Sequence, residues 1–304
     1  MDFALNEIQH ELKQQARSWL SEKYPLDRDW DGTQDDRWRE LAELGWLDVA
    51  EAELGFVEEA LVLEELGYAC YPGPYLAHVM TLPALGLDDR AAAARGEVRW
   101  SVEGGGITPW LLQVDMVIDS DGNAQPARGE EIASIDPSRP VGRLERSNGT
   151  PVPGGRGVHR ARAALAAEAL GVAQRALDLG IEHAKTRQQF AKPIGTYQAV
   201  SHQLADTYTD VELARSLVYW AAWCIAEDDD QAKVAAAAAN AFATEAAVRA
   251  CERSIQVHGG IGFTWEHPLH RFYKRALWLE GVGTRPAQLR VEVAEALLGV
   301  AVTA

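Results

Sequence analysis

The stretch that decides the fold is Arg187-Gln-Gln-Phe-Ala-Lys-Pro-Ile-Gly-Thr-Tyr-Gln198, a charged and aromatic break between two long helical patterns. A second stretch, Gln256-Val-His-Gly-Gly260, closes a third helical pattern with a pair of glycines. Glycine leaves the helical conformation without a steric cost, so the pair marks a helix end. Together the two stretches predict a bundle of long helices in this half of the chain.

Helical periodicity continues on both sides of the break. Helices are predicted from His159 up to the break, over 231–257 and 269–279, and over 286–300. In the helix after the break, Thr207 is the one polar interruption of an apolar seam. The seam residues alternate between spacings of four and three, and they are Val200, Leu204, Val211, Ala214, Val218, Ala221 and Ile225. This spacing is typical of a four-helix bundle.

The rest of the chain divides into two further regions. Residues 1–96 read as an N-terminal helical domain, with Gly45 and Gly67 as helix C-caps. Residues 97–157 read as an abbreviated β domain, in which 111–118 is a strand and Asp121-Gly122 a hairpin turn. Residues 158–304 form the C-terminal bundle. The predicted fold class is therefore mainly α with a small β domain.

Composition bounds the function. The chain has 304 residues, 47% of them apolar, and a net charge of −16, which disfavours binding to nucleic acid. Cys70, Cys224 and Cys251 are few and far apart, so we expect a reducing compartment and no disulfide framework. The Cys and His residues show none of the clustered spacings that predict a metal site. We find neither a signal sequence nor a membrane span, so a cytoplasmic location is predicted.

Four segments together resemble the acyl-CoA dehydrogenase family. The stretch that starts at Arg187 resembles its R-x-x-F-G-x-P-I-x-x-x-Q signature, and the stretch that starts at Gln256 resembles its Q-x-x-G-G-x-G-[FY] segment. Leu44-Gly-Trp-Leu47 and Leu63-Glu-Glu-Leu-Gly67 fit the first helical domain of the family. Order and spacing agree over most of the chain. The resemblance implies the three-part fold of that family.

The resemblance also implies that the chain binds FAD. Arg187 suits the pyrophosphate, and Phe190 offers flat apolar surface. Gly259 and Gly260 let the backbone approach a dinucleotide, and the Gln256 amide can hydrogen-bond beside them. In the family these contacts reach the cofactor of the neighbouring subunit, so an oligomer is implied. Taken singly, each residue also has a structural explanation: Arg187 as a helix cap, Phe190 as core and Gly259 as a C-cap.

The chain departs from the family at the catalytic base. The dehydrogenation needs a base, usually glutamate, that removes the proton α to the thioester. Counted without gaps from Gly259-Gly260, one base position of the family falls on Gly283, and the other, at the start of the helix before Arg187, falls on Ala161. Neither residue can accept a proton. Glu280, three residues before the first position, and Glu168, on the helix face of the second, are the weak candidates to replace it. The family's flavin-contacting T-E-P-x-x-G-S-D segment is not recognisable in the short β region.

These departures are similar to those of the shorter subunits of actinobacterial heteromeric (α2β2) steroid side-chain acyl-CoA dehydrogenases. The run Leu269-His-Arg-Phe-Tyr-Lys-Arg-Ala276 also resembles that group. The implied partners are a second acyl-CoA dehydrogenase-like subunit, an acyl-CoA substrate and an electron-transfer acceptor protein. Two alternatives remain open: a self-sufficient homo-oligomeric dehydrogenase that uses Glu280 or Glu168, and a flavin-free structural subunit.

Overall fold

Five α-helices lie in the described part of the N-terminal region. The computed structural model describes residues 4–28, 35–50, 54–154 and 157–299. The first helix begins after Asn6, whose side chain accepts a hydrogen bond from the Gln9 amide at 2.9 Å and so caps an otherwise unsatisfied donor. The helices are α1 (Glu7–Lys23), α2 (Trp38–Glu43), α3 (Phe56–Ala69), α4 (Tyr75–Thr81) and α5 (Leu87–Ala94).

Two small sheets follow. One has the order β1-β3-β4-β7 and the other β2-β6-β5; β1 and β3 are parallel, and the remaining pairs are antiparallel. The strands are β1 (Trp100–Val102), β2 (Thr108–Pro109), β3 (Met116–Ile118), β4 (Asn123–Pro126), β5 (Gly129–Ile132), β6 (Val141–Leu144) and β7 (Thr150–Pro151). All seven fall inside the segment predicted to be the β domain, whose exact limits stay a prediction.

The C-terminal bundle consists of long helices that pack around the first of them. They are α6 (Val158–Thr186), α7 (Gln198–Ala226), α8 (Ala232–His258), α9 (Leu269–Gly281) and α10 (Pro286–Leu298). A short hairpin, β8 (Gln188–Gln189) and β9 (Lys192–Pro193), joins α6 to α7. The first of these helices contacts α3, α7, α8 and α9, so it is the central element of the core. The predicted fold class is confirmed.

The structure confirms some of the local predictions and contradicts others. The Asp121-Gly122 hairpin is confirmed, since Gly122 has a φ of 85° between the paired strands β3 and β4. The strand predicted over 111–118 is wrong in its first half, where Leu111–Gln113 is a 3-10 turn. Gly45 ends α2 with a φ of 75°, as predicted.

Gly67 is not a C-cap, because α3 continues to Ala69 and ends at Cys70 in the left-handed conformation. Gly67 serves packing instead: a Cβ there would lie 2.1 Å from the carbonyl oxygen of Glu168 on α6. Gly171 on α6 is placed in the same way, because a Cβ there would lie 1.8 Å from the carbonyl oxygen of Glu64 on α3. The two glycines let the backbones of α3 and α6 approach more closely than side chains would permit.

A buried ionic cluster ties the three regions together. The Glu168 carboxylate on α6 accepts hydrogen bonds from Arg139, which precedes β6, and from Arg275 on α9 at 3.0 Å. Arg275 also pairs with Asp136 at 2.6 Å and donates to the carbonyl oxygen of Tyr71 at 2.9 Å. Because opposite charges compensate one another in this buried cluster, it fixes the β region against both sets of helices.

Candidate active site

A cavity of about 280 Å³ lies at the N-terminal end of α6. Ala161 and Gly283, the two positions that the resemblance assigns to the family's base, both line it, together with Leu165 from α6. The fold thus brings together two positions that are far apart in the sequence. Neither supplies a carboxylate, so the cavity lacks a proton acceptor at both places.

Glu103 lines the same cavity and was missed by the sequence analysis. It follows β1 and directly precedes Gly104-Gly-Gly106. Its carboxylate accepts a hydrogen bond from the Ser120 amide at 2.9 Å and pairs with Arg146 at 3.0 Å. Both contacts come from residues of the β region, so the Glu103 carboxylate is held by that region.

Glu168 does not line the cavity, although it lies two turns beyond Ala161 on the same helix. Its side chain is 1% exposed and is held by the two buried arginines Arg139 and Arg275. A buried carboxylate that pairs with two buried arginines is not open to a substrate. The contacts of Glu168 are therefore those of a structural residue.

Glu280 lies near the end of α9 and does not line the cavity either. Partial burial and the nearby carboxylates of Glu245 and Glu252 raise its pKa. A raised pKa suits a general base, but the side chain faces acidic residues of α8 and not the two vacant base positions. Geometry thus separates Glu280 from the cavity.

The cofactor-binding candidates lie at the opposite end of the bundle. Arg187 follows the last residue of α6, is exposed, and forms no ion pair with any residue that the structure describes. Phe190 is 89% exposed at the tip of the β8–β9 hairpin, with a φ of 52°. The structural explanation of Phe190 as a core residue is therefore wrong. Both side chains are available to a ligand or to another chain.

Gln256, Gly259 and Gly260 lie at the end of α8. Gln256 and Gly260 are exposed, and nothing lies within 4 Å of a Cβ built on either glycine. Gly259 has a φ of 65° and a ψ of −138°, a conformation almost restricted to glycine. The backbone of Gly259 and Gly260 therefore forms an open cradle, in which no neighbouring atom blocks the approach of a ligand.

Two histidines join these segments. The imidazole of His183 stacks on that of His258 with ring centroids 4.2 Å apart, and His267 lies 4.3 Å from His258. Burial and the neighbouring imidazoles lower the pKa of His267 to about 4, so the three rings are neutral near pH 7. Neutral rings stack without repulsion, and they hold the ends of α6 and α8 side by side.

The cavity and the cofactor-binding candidates are far apart within one chain. At 1.5 Å per residue, the stretch of α6 from Ala161 to His183 is about 33 Å long. The N-terminal parts of α6 and α8 also meet, since the Asn240 amide donates to the carbonyl oxygen of Arg162 at 3.1 Å. The two helices therefore run parallel, with the cavity at one end and the open cradle at the other.

Comparison with known proteins identifies the class. Residues 6–87 match the acyl-CoA dehydrogenase N-terminal domain, and residues 148–296 match the acyl-CoA dehydrogenase C-terminal domain. The acyl-CoA dehydrogenase IpdE2 of Mycobacterium tuberculosis is 36% identical over 236 residues, which cover 72% of this chain and 71% of that protein. The chain belongs to the acyl-CoA dehydrogenase family and is an oxidoreductase of the kind that acts on CH–CH bonds.

Two solved structures share the fold of this chain. A steroid acyl-CoA dehydrogenase described as the Tcur3481-Tcur3483 G363A variant is 25% identical, with a TM-score of 0.84, and the match covers 96% of this chain and 98% of that one. The ChsE4-ChsE5 complex from Mycobacterium tuberculosis shares the fold, with 24% identity, a TM-score of 0.84, and coverage of 98% and 99%. The predicted resemblance to steroid acyl-CoA dehydrogenases is confirmed.

Among the residues that the structure describes, no group of three or more His, Cys, Asp or Glu side chains is placed to hold a metal ion. Across the same residues, every helix is too short or too polar to span a membrane.

Proposed function

We propose that this chain is one subunit of a flavin-dependent, heteromeric acyl-CoA dehydrogenase, and that a second dehydrogenase-like subunit supplies the catalytic base. The observation that carries the proposal is that Ala161 and Gly283 line one cavity and leave both base positions of the family without a carboxylate. The cavity retains its apolar wall around Leu165. A chain that keeps the fold but lacks the base depends on another chain for proton abstraction.

The chain's own contribution is to bind FAD across a subunit interface. Arg187 would bind a phosphate of the pyrophosphate, and the Gly259-Gly260 backbone would approach the dinucleotide with Gln256 beside it. Phe190, exposed on the hairpin, would cover an apolar face of the cofactor. When bound, FAD accepts the hydride that leaves the β carbon of the acyl group.

The distance within the chain supports an assembly. Because the cradle and the cavity are about 33 Å apart along α6, the cradle is remote from this chain's own cavity. The cradle faces outwards, where a neighbouring subunit would bring its own cavity and cofactor. The fully exposed Phe190 also suits an interface, since a large apolar side chain is stabilised when a partner covers it.

We further propose a bulky acyl-CoA substrate, such as a steroid side-chain thioester, and an electron-transfer protein as the acceptor. Support for the substrate is the likeness to the steroid acyl-CoA dehydrogenase. A heteromeric assembly is supported by the likeness of fold to the ChsE4-ChsE5 complex.

The test is to express the chain alone and together with the dehydrogenase-like protein encoded nearest to it, and to record the size and the flavin spectrum of each product. We expect a yellow, active complex on co-expression only. A yellow and active homo-oligomer of this chain alone would contradict the proposal and favour a self-sufficient dehydrogenase. A colourless assembly with every plausible partner would favour a flavin-free structural subunit.

A further inference from the structure

Asn240 is a buried polar residue at the wall of the cavity that Ala161 and Gly283 line. It lies on α8, it lines the cavity, and it is 3% exposed. Five alanines, at 235–239, precede it, and Ala241 follows it. Alanine has the higher helix propensity and carries no polar side-chain group that burial leaves to be compensated. Helix stability therefore does not explain an asparagine at this position.

The nitrogen of the Asn240 amide has a structural role, and its oxygen does not. Nδ2 donates a hydrogen bond to the backbone carbonyl oxygen of Arg162 on α6 at 3.1 Å, which joins the two helices. This bond fixes the orientation of the amide, since only its NH2 group can donate. None of the residues that the structure describes donates a hydrogen bond to Oδ1 of Asn240. Because Oδ1 is not sealed from solvent and the residue lines the cavity, this acceptor is open to a ligand there.

Thr284 supplies a donor to the same cavity. It lies between α9 and α10, lines the cavity, and accepts a hydrogen bond from the Arg162 guanidinium at 3.4 Å through its hydroxyl oxygen. A hydroxyl can accept one hydrogen bond and donate another. Within the described ranges, the Thr284 hydroxyl donates to no acceptor. The cavity thus offers one unused acceptor, on Asn240, and one unused donor, on Thr284.

The charged residues that line the cavity are already paired. The Arg162 guanidinium donates to the Glu292 carboxylate at 2.7 Å and 2.9 Å, and Glu103 pairs with Arg146. Much of the remaining wall is apolar and includes Met80, Leu165 and Val282. Paired charges and apolar walls favour an uncharged hydrocarbon group, and the two unused polar atoms favour one polar substituent on it.

We propose that Asn240 is a specificity-determining residue, whose Oδ1 atom binds a hydroxyl group on the acyl part of the substrate. The hydroxyl donates to Asn240 and accepts from Thr284, so both unused atoms gain a partner. A keto group has no proton to donate and would leave the buried acceptor of Asn240 unpaired, which disfavours its binding. This inference rests on the proposed function, because it takes the cavity to hold the acyl part of an acyl-CoA.

The experiment compares the binding of cyclohexanol and cyclohexanone to the full-length chain by ligand-observed NMR titration. The two probes have the same ring and differ in whether the oxygen carries a proton. We expect cyclohexanol to bind about three- to tenfold more tightly, the effect of one hydrogen bond. Asn240→Ala should abolish this preference and leave the affinity for cyclohexanone nearly unchanged. Equal affinity of the wild-type chain for both probes, or no binding of either, would overturn the proposal.

Two further variants separate recognition from folding. Thr284→Val keeps the shape of the side chain and removes the donor, so it should weaken the binding of both probes, each of which can accept a hydrogen bond. Thr244→Val is the matched control, because Thr244 is buried one turn after Asn240 on α8 and is not among the residues that line the cavity. A preference for cyclohexanol that persists in Asn240→Ala, or that Thr244→Val removes equally, would contradict the assignment. So would an affinity for cyclohexanol that Thr284→Val leaves unchanged.

The outcome is distinguishable from that of the proposed function. These titrations use neither flavin nor acyl-CoA, so a negative result removes the role of Asn240 and leaves the proposed subunit role intact. The flavin spectrum of the co-expressed complex tests the subunit role separately.

Discussion

His183 and His258 stack their imidazole rings at a centroid separation of 4.2 Å, and this contact joins two segments that are more than seventy positions apart. His183 lies one helical turn before Arg187, and His258 directly precedes Gly259. The stack therefore holds the end of α6, which leads into Arg187, beside the open glycine backbone. This pairing holds the two segments together at one end of the bundle, which supports the proposal that both contribute to binding FAD.

Replacement of Arg187 by Ala should lower the FAD occupancy of the assembled complex. Loss of a charge-assisted hydrogen bond to a phosphate corresponds to about ten- to hundredfold weaker binding. Flavin absorbance per protein, followed during dilution, measures the effect. Arg39→Ala is the control, since Arg39 is exposed on α2 and lies far from the cradle in sequence. Unchanged occupancy in Arg187→Ala would remove Arg187 from the site.

Glu280→Gln should leave turnover of the assembled complex nearly unchanged, because Glu280 does not line the cavity with Ala161 and Gly283. Steady-state kcat with an acyl-CoA substrate is the measurement. A loss of about 10²-fold or more is expected of a general base and would assign that role to Glu280.

Glu168→Gln should destabilise the fold by about 3–5 kcal/mol, because it leaves Arg139 and Arg275 without the carboxylate that they share. Denaturant unfolding followed by circular dichroism measures the change. Glu130→Gln is the matched control: Glu130 pairs with Arg143 on the exposed surface, where ion pairs contribute about 0–1 kcal/mol. Equal stability of the two variants would contradict the structural role of Glu168.

Ala191→Gly should stabilise the chain by about 1 kcal/mol, since Ala191 has a φ of 65°, which costs a residue with a Cβ more than it costs glycine. Ala205→Gly, in the exposed interior of α7, should instead destabilise by about 0.5–1 kcal/mol. Thermal unfolding of both variants checks the opposite signs. The same sign in both would mean that the hairpin backbone is not strained.

The buried His78 should make stability fall in acid. Burial lowers the pKa of His78 from the ordinary 6.5 to about 4, so the folded chain keeps this imidazole neutral after the unfolded chain has taken up a proton. Above pH 6.5 neither state is protonated, and the effect vanishes. Between pH 6.5 and 4 the unfolding free energy should drop by up to about 3 kcal/mol from this group.

Unfolding free energies of wild type and His78→Asn across that pH range measure the contribution. The unfolding free energy of the variant should depend less steeply on pH than that of the wild type. Any loss of packing in the variant is the same at every pH and does not change this slope. His10→Asn, on the exposed face of α1, serves as the control. Parallel slopes for wild type and His78→Asn would exclude His78 as the source.

The sequence by itself determined the helices of the bundle, the break at Arg187, the glycine pair at Gly259 and the missing carboxylates at Ala161 and Gly283. These features are local: helical periodicity, glycine conformation and side-chain chemistry depend on a residue and its near neighbours. The sequence also located the β region, although the 3-10 turn at Leu111 was not visible in its apolar run.

Only the tertiary structure decided which of these residues act together. It placed Ala161, Gly283 and Glu103 around one cavity, and it placed Glu168 outside that cavity in a buried ionic cluster. It also placed Asn240 and Thr284 at the wall of the same cavity. Such sets come from different elements, and their distances depend on how helices pack, through features such as the close approach of α3 and α6 at Gly67. Packing is a property of the whole chain, and no local pattern encodes it.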